Sequence, residues 1–270
     1  VERGVLVEKE AAFHEGTLLV TARNRGQALA ASAVTLSIYR AGDVQHELID
    51  QAIAGAPLRL ETGRYDVKAV LTAASDQPEL WFRGIEIRDG ETANRSADFA
   101  AGFLKVSARI EGGEQLDGFR AYAYVYSSKD HQQAITYFPA GETALLSEGS
   151  YDVRVEFARS NDHPDVWKYG VAVRAGQVAE YRAAFRTGRL IVRCLRAGKE
   201  LLGDNVFVSA FAKGERRTPA AQARSSEEMV LQAGEYDVRL RTTAAPPKEI
   251  WVSGVNVRSG QLSEQNARID

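Results

Sequence analysis

Gly63-Arg64-Tyr65-Asp66-Val67 recurs as Gly149-Ser150-Tyr151-Asp152-Val153 and again as Gly234-Glu235-Tyr236-Asp237-Val238. Downstream of each copy, Trp81-Phe82-Arg83-Gly84-Ile85 returns as Trp167-Lys168-Tyr169-Gly170-Val171 and Trp251-Val252-Ser253-Gly254-Val255. A period of about 86 residues is too long for a solenoid turn or a propeller blade and suits a small β-domain. Gly16, Gly102 and Gly188 keep the same step, as do Gly26, Gly112 and Gly198, and Phe13, Phe99 and Phe185 close the units with Ile269 in the matching place. The repeats are therefore 14–99, 100–185 and 186–270, with no Pro- or Ser-rich linker between them.

Gly4 precedes Phe13 as Gly90 precedes Phe99. Residues 1–13 accordingly read as the last strand of a truncated preceding repeat. The rival reading is an N-terminal strand that pairs with the sheet edge of another chain.

Within each repeat, short alternating runs are separated by Gly-rich turns, which is the strand signal. Leu18/Val20/Ala22, Leu104/Val106/Ala108 and Leu190/Val192/Cys194 keep one parity apolar in the first strand. Val34/Leu36/Ile38, Ala121/Ala123/Val125 and Val206/Val208/Ala210 do so in the second. In the Gly-x-Tyr-Asp-Val strand, Tyr65/Val67/Ala69 and their counterparts point inward, and the alternation places Asp66, Asp152 and Asp237 outward. With the runs after each Trp, the count is about seven strands per repeat. The expected fold is all-β: three tandem seven-stranded antiparallel sandwiches of about 85 residues.

The repeated Gly63, Gly149 and Gly234 are expected to turn the chain with positive φ. Tyr65, Tyr151 and Tyr236 plug one end of each core, their hydroxyls finding a backbone carbonyl as in a tyrosine corner. Trp81, Trp167 and Trp251 are expected to cap the other end. A motif present three times in one context points to folding rather than to three active sites.

Leu-(x)2-Gly-x-Tyr-Asp-Val, followed about 18 residues later by Gly-(Val/Ile)-x-(Val/Ile)-Arg-x-Gly, resembles bacterial prealbumin-like, Ig-like β-sandwich repeats. Related are carboxypeptidase-regulatory-like and Cna-B-like domains, and modules that follow von Willebrand A domains in surface or periplasmic proteins. The resemblance covers the whole chain on modest motifs. It implies a non-catalytic module at the cell surface, outside the cell or in the periplasm: a rigid spacer, stalk or fibre segment, an adhesive module, or an accessory domain of a larger von Willebrand A-type adhesion protein. Cna-B-like domains often hold a Lys–Asn isopeptide bond, but Lys105 falls on the outward parity and is not repeated, so none is expected.

No nucleotide loop, zincin helix, serine-hydrolase elbow or calcium loop is written in the chain. His14, His46, His131 and His163 are scattered over different loops. Asn161-Asp162-His163-Pro164-Asp165 alone resembles a metal cluster, but its counterparts Ser75-Asp76-Gln77-Pro78-Glu79 and Ala244-Ala245-Pro246-Pro247-Lys248 do not preserve the ligands. A solvated loop is the expectation, with no metal, no cofactor and no enzyme activity. Cys194 is the one cysteine and takes a core position, and Asn94-Arg95-Ser96 matches a glycosylation sequon at the chance level.

Two features break the repetition. Seven of the ten tyrosines lie in 100–185, and Tyr122, Tyr124 and Tyr126 alternate with buried positions, so all three are expected on one outward face. Such a row can stack a carbohydrate or anchor a protein, and cross-strand packing or a covering loop is the alternative. Charge also drifts: 11 basic against 15 acidic residues up to 99, 9 against 11 over 100–185, and 14 against 10 over 186–270. Opposite ends favour head-to-tail contact with protein, either neighbouring modules or another copy. No basic cluster suits nucleic acid and no run suits membrane insertion.

Overall fold

The computed structural model describes residues 14–43, 45–201 and 203–269. Residues 1–13, read above as a closing strand, lie outside the described residues. The fold is all-β, the described residues forming six four-stranded sheets. The first eight are β1 (Glu15–Asn24), β2 (Gln27–Ala28), β3 (Val34–Arg40), β4 (Leu48–Ile53), β5 (Leu58–Glu61), β6 (Gly63–Leu71), β7 (Glu79–Ile87) and β8 (Thr92–Phe99). Then come β9 (Ala101–Ile110), β10 (Gln115–Leu116), β11 (Gly118–Ser127), β12 (Thr136–Ala140), β13 (Thr143–Ser147), β14 (Gly149–Glu156), β15 (Asp165–Val173) and β16 (Val178–Phe185). The last eight are β17 (Thr187–Arg196), β18 (Lys199–Glu200), β19 (Gly203–Ala212), β20 (Ala221–Ser225), β21 (Glu228–Gln232), β22 (Gly234–Thr242), β23 (Glu249–Val257) and β24 (Leu262–Arg268).

One sheet runs β2-β1-β5 with β8 also on β1, and the other runs β4-β3-β6-β7. The same orders recur as β10-β9-β13 with β16, and β12-β11-β14-β15, then as β18-β17-β21 with β24, and β20-β19-β22-β23. Eight strands thus stand where about seven were expected, the addition being a two-residue strand beside β1, β9 or β17. Pairing is antiparallel except between first and last strands: β1 lies parallel to β8 over Thr17↔Thr92 to Asn24↔Phe99, and β17 parallel to β24. A closing strand that returns beside the opening one in the same direction cannot be told from an antiparallel one by alternation alone.

Inward parity builds the cores. Leu18, Val20, Leu60 and Ala97 from one sheet meet Leu36, Val67 and Ile85 from the other in one buried cluster. Leu190, Val192, Val208, Val238 and Met229 do the same at the other end of the chain. Cys194 is fully buried, and burial pushes its thiol pKa up, as for a small hydrophobe. Contacts group the chain into two compact units. One is Val1–Phe103, Leu145–Glu148 and Val173–Gln177; the other is Leu104–Ala144, Gly149–Ala172 and Val178–Asp270.

The glycine expectation changes. Gly63 has φ 157°, close to extended, and Gly149 and Gly234 are not at positive φ. They open β6, β14 and β22 in paired, extended backbone, as Gly63↔Ile87 and Gly234↔Val257 show, so no left-handed turn is needed there. The sterically required set is instead Gly16, Gly102 and Gly188. A Cβ at these positions would lie 2.3, 2.1 and 2.1 Å from the carbonyl oxygens of Arg88, Arg174 and Arg258.

Candidate functional site

Alternation predicted that Asp66, Asp152 and Asp237 face solvent; they are instead buried, at 8%, 5% and 6% exposed. A bulge explains the burial. Tyr65 pairs with Ile85 but Val67 pairs with Phe82, so Arg83 and Gly84 together oppose Asp66. Gly84, Gly170 and Gly254 sit there at φ 62°, 67° and 75°. The bulge aims the Gly84 N–H at the Asp66 carboxylate at 2.7 Å and the Gly170 N–H at Asp152 at 2.7 Å. Arg83 Nη1 donates to Asp66 at 2.9 Å, and His131 Nε2 lies 2.7 Å from Asp152. Burial alone would raise the Asp66 pKa, but the Gly84 N–H and Arg83 hold it below the ordinary value. Asp237 is held low by a hydrogen bond to Ser253. The two halves of the repeated motif are one device: the Asp of the first closes the Gly bulge of the second.

The tryptophans belong to this outer face and do not cap the cores. Trp81 stands opposite Lys68 and Trp251 opposite Arg239, both on the outward parity of their strands. Each is half-buried among aromatic and cationic neighbours. The Arg83 guanidinium lies 3.7 Å over the Trp81 ring, with Tyr39 at 5.6 Å and His46 at 5.7 Å. Around Trp167 are His131 and Tyr126, both at 5.3 Å. Arg216 lies 4.6 Å over Trp251, with Phe211 at 5.2 Å. A loop His or Arg against an outward Trp therefore recurs in all three strand sets. Its sequence signal is the step of 85 between His46 and His131, then Arg216 in the third copy.

The tyrosine stripe is also redrawn. Tyr126 is 8% exposed, roofed by His131 and Trp167, so it is not part of an open face with Tyr122 and Tyr124, which are half-buried. Besides Phe119 on β11, 71% exposed and 6.3 Å from Tyr122, the exposed aromatics run across the sheet. Tyr124 pairs with Tyr137 on β12 and with Arg154 on β14. Tyr137 is 66% exposed and stacked on Tyr124 at 5.9 Å, and Arg154 lies 4.5 Å over the Tyr124 ring. Farther on, Tyr169 is 62% exposed and stacked on Trp167 at 5.7 Å with planes 9° apart. The other two sheets have Ser37 beside Gln51 and Ser209 beside Gln222 where this one has Tyr124 beside Tyr137. The row is a property of the second strand set.

Tyr65 and Tyr236 donate their hydroxyls to the carbonyls four residues back, Glu61 at 3.0 Å and Gln232 at 2.9 Å. Burial, with the Asp162 carboxylate nearby, pushes the Tyr236 pKa up to about 12.

The loops read as solvated are occupied by other work. In the first compact unit, the Ser75 N–H donates to Leu145 O at 2.9 Å, and the Ser147 N–H donates to both Asp76 carboxylate oxygens at 3.1 Å. In the second unit, the Asn161 N–H donates to Val230 O at 2.8 Å, the Val230 N–H to Asn161 Oδ1 at 2.7 Å, and the Gln232 N–H to Asp162 Oδ2 at 2.7 Å. Ser160 Oγ bonds both Asp162 and Val230 O. Gln77 and His163 share φ 44°, so both loops have one conformation at this point. Each loop thus grips the free edge of a strand in the next repeat. Among the described residues, no group of three or more His, Cys, Asp or Glu is placed to hold a metal ion. One open groove of about 760 Å3 lies between Lys105, Arg109, Gln115, Glu180 and Tyr181. It mixes both charge signs without converging on one point.

No protein-family model matches the chain, and no curated protein does. Among solved structures, the Bacillus anthracis TIE protein is 14% identical, with 94% of this chain and 50% of that one covered and a TM-score of 0.29. The pilus adhesin SpaC from Lactobacillus rhamnosus GG is 11% identical over 94% of this chain and 42% of that one, with a TM-score of 0.26. A streptococcal ancillary pilin is 8% identical over 95% of this chain and the whole of its own, with a TM-score of 0.33. The chain thus spans about half the length of the first two or less. At these scores the likenesses carry no argument on fold or function.

Proposed function

We propose that the chain is a non-catalytic segment of three tandem, Ig-like β-sandwich domains, 14–99, 100–185 and 186–270, serving as a spacer, stalk or fibre segment outside the cytoplasm. The observation that supports this reading is the loop-to-strand latch, written in the same place by Asp76 and Asp162. Hydrogen bonds from a side chain to a neighbour's backbone edge fix register between successive domains, which is what a spacer requires. Two ion pairs flank the latches, Arg25–Glu148 at 3.7 Å and Arg186–Glu111 at 3.2 Å. The closed carboxylates Asp66, Asp152 and Asp237 are engaged by backbone amides, not poised for proton transfer. In Asp76→Ala/Asp162→Ala, cleavage by a broad protease near residues 98–103 and 184–188 is expected to speed up about tenfold, while the cores keep their melting transitions. Unchanged cleavage at both junctions would count against a latched spacer.

A second reading is adhesion, with carbohydrate as the ligand class and the stacked pairs Tyr137–Tyr124 and Trp167–Tyr169 as the contact. It is favoured by the two stacked pairs and by the exposure of their outer members. A pyranose stacked on such a ring pair contributes about 1–1.5 kcal/mol. Tyr137→Ala should then weaken glycan binding about tenfold on an array. No glycan bound by the parent chain would end this reading.

A further inference from the structure

The two latches share a second half: a strand edge that receives them. Leu145 and Ser147 lie on β13, and Val230 and Gln232 on β21, each strand at an end of its sheet. In β21 the register against β17 is Arg189↔Val230 and Gly188↔Leu231. Val230 gives both its N–H and its C=O to Asn161, so it faces away from β17, and so does Gln232 two residues on.

β5 carries the same edge. Its register against β1 is Thr17↔Arg59 and Gly16↔Leu60, the same pairing shifted back along the repeat. Arg59 and Glu61 therefore hold the places of Val230 and Gln232, and their backbone groups point outward. Glu61 O accepts the Tyr65 hydroxyl, as Gln232 O accepts that of Tyr236, which confirms the register. Among the described residues, no hydrogen bond reaches the carbonyl of Arg59 or the amide of Glu61. Side chains around the edge suit an acidic visitor: Arg59 replaces Leu145 and Val230 beside the seat, and the Glu61 carboxylate is paired with Arg40 at 3.1 Å.

We propose that the β5 edge is a docking site for a loop of the type (Ser/Asn)-Asp-x-Pro from another domain of this kind. The loop's first N–H donates to Arg59 O and its Asp carboxylate accepts from the Glu61 N–H. The occupant is defined by the two occupied copies within the molecule. The loop of the third repeat, Ala244-Ala245-Pro246-Pro247-Lys248, has no carboxylate and cannot supply it, and the loops at 75–76 and 161–162 are already engaged. The site thus selects a domain other than the last one of a second copy, so head-to-tail self-association of this chain does not fill it.

This docking rests on the three-domain reading above, and its test is separate. Residues 100–175 are joined in front of Gly4, so that Asn161-Asp162 of the added copy faces β5. Amide hydrogen exchange is followed in the segment 58–62 of the original chain. Exchange at Glu61 is expected to slow about tenfold in the extended chain and to return to the parent rate when Asp162 of the added copy is changed to Ala. A second extension, residues 14–89 joined in front of Gly4, presents Ser75-Asp76 and guards against a poorly folded first one. Parent-like exchange at Glu61 in both extensions, or slowing that survives loss of the added carboxylate, overturns the proposal. If Asp76→Ala/Asp162→Ala loosens the junctions while Glu61 stays fast, the spacer reading stands and only the docking fails.

Discussion

Tyr65→Ala is expected to destabilise the first strand set by about 3–5 kcal/mol, and Trp81→Ala by only about 1–2 kcal/mol. Both are large aromatics repeated three times, and by sequence they carry equal weight. The structure separates them. Tyr65 is among the largest fully buried side chains and also holds the Glu61 carbonyl. Its removal leaves a cavity where two sheets meet and an acceptor without its donor. Trp81 is half-buried on the outer face, so truncation loses contact with Arg83, Tyr39 and His46 but opens no void in the core. For a cooperative unit of about 60–100 residues each kcal/mol moves the melting point by about 4–8 °C. Calorimetry should therefore show the first transition of Tyr65→Ala lower by about 15 °C or more, with Trp81→Ala displaced by less than half as much. Tyr65→Phe, which keeps the ring and loses only the hydrogen bond, should cost about 1 kcal/mol. Equal shifts for the two alanine variants would return Trp81 to the core.

The cores were legible because parity is a strong constraint: one face of each strand must meet the opposite sheet, so Leu18, Val20, Leu36 and Val67 could be placed from alternation alone. What parity cannot report is a roof over the outward face. Asp66 has the outward phase of Lys68, yet a bulge in β7 and a loop cover it, while Lys68 stays partly open. Tyr126 disappeared under His131 for the same reason, since the covering residue comes from a loop that has no periodicity. The aromatic row was missed in direction: its members share a row only once β12, β11 and β14 are in register, which depends on pairing between strands. A sharper signal was available in the loops. Asp76 and Asp162 stand 86 apart, as do Pro78 and Pro164, and the loss of the carboxylate in the third copy marks a role tied to a neighbour and not to the repeat's own core.

Asp152→Ala is expected to cost about 2–3 kcal/mol, although it removes a small, charged side chain from a face that alternation places in water. The carboxylate is 5% exposed and accepts the Gly170 N–H at 2.7 Å, with His131 Nε2 also at 2.7 Å. Alanine leaves the bulge amide buried without an acceptor and lets go of the imidazole that roofs Tyr126 and Trp167. Asparagine retains one carbonyl oxygen for Gly170, so Asp152→Asn should recover about half of the loss. Gly170→Ala, at φ 67°, should cost about 1 kcal/mol from backbone strain alone. Because the carboxylate and the bulge are one device, the two losses should not add. Asp152→Ala/Gly170→Ala is expected to fall short of the summed single effects by about 0.5 kcal/mol or more in denaturant unfolding. Strict additivity would mean that the bulge forms independently of the carboxylate, and would leave the repeated Asp without the folding role assigned to it. The Tyr137–Tyr124 pair lies one row away and offers an internal control: its stacking should survive Asp152→Ala, since neither ring touches the carboxylate, while the Trp167–Tyr169 pair loosens with the loss of His131.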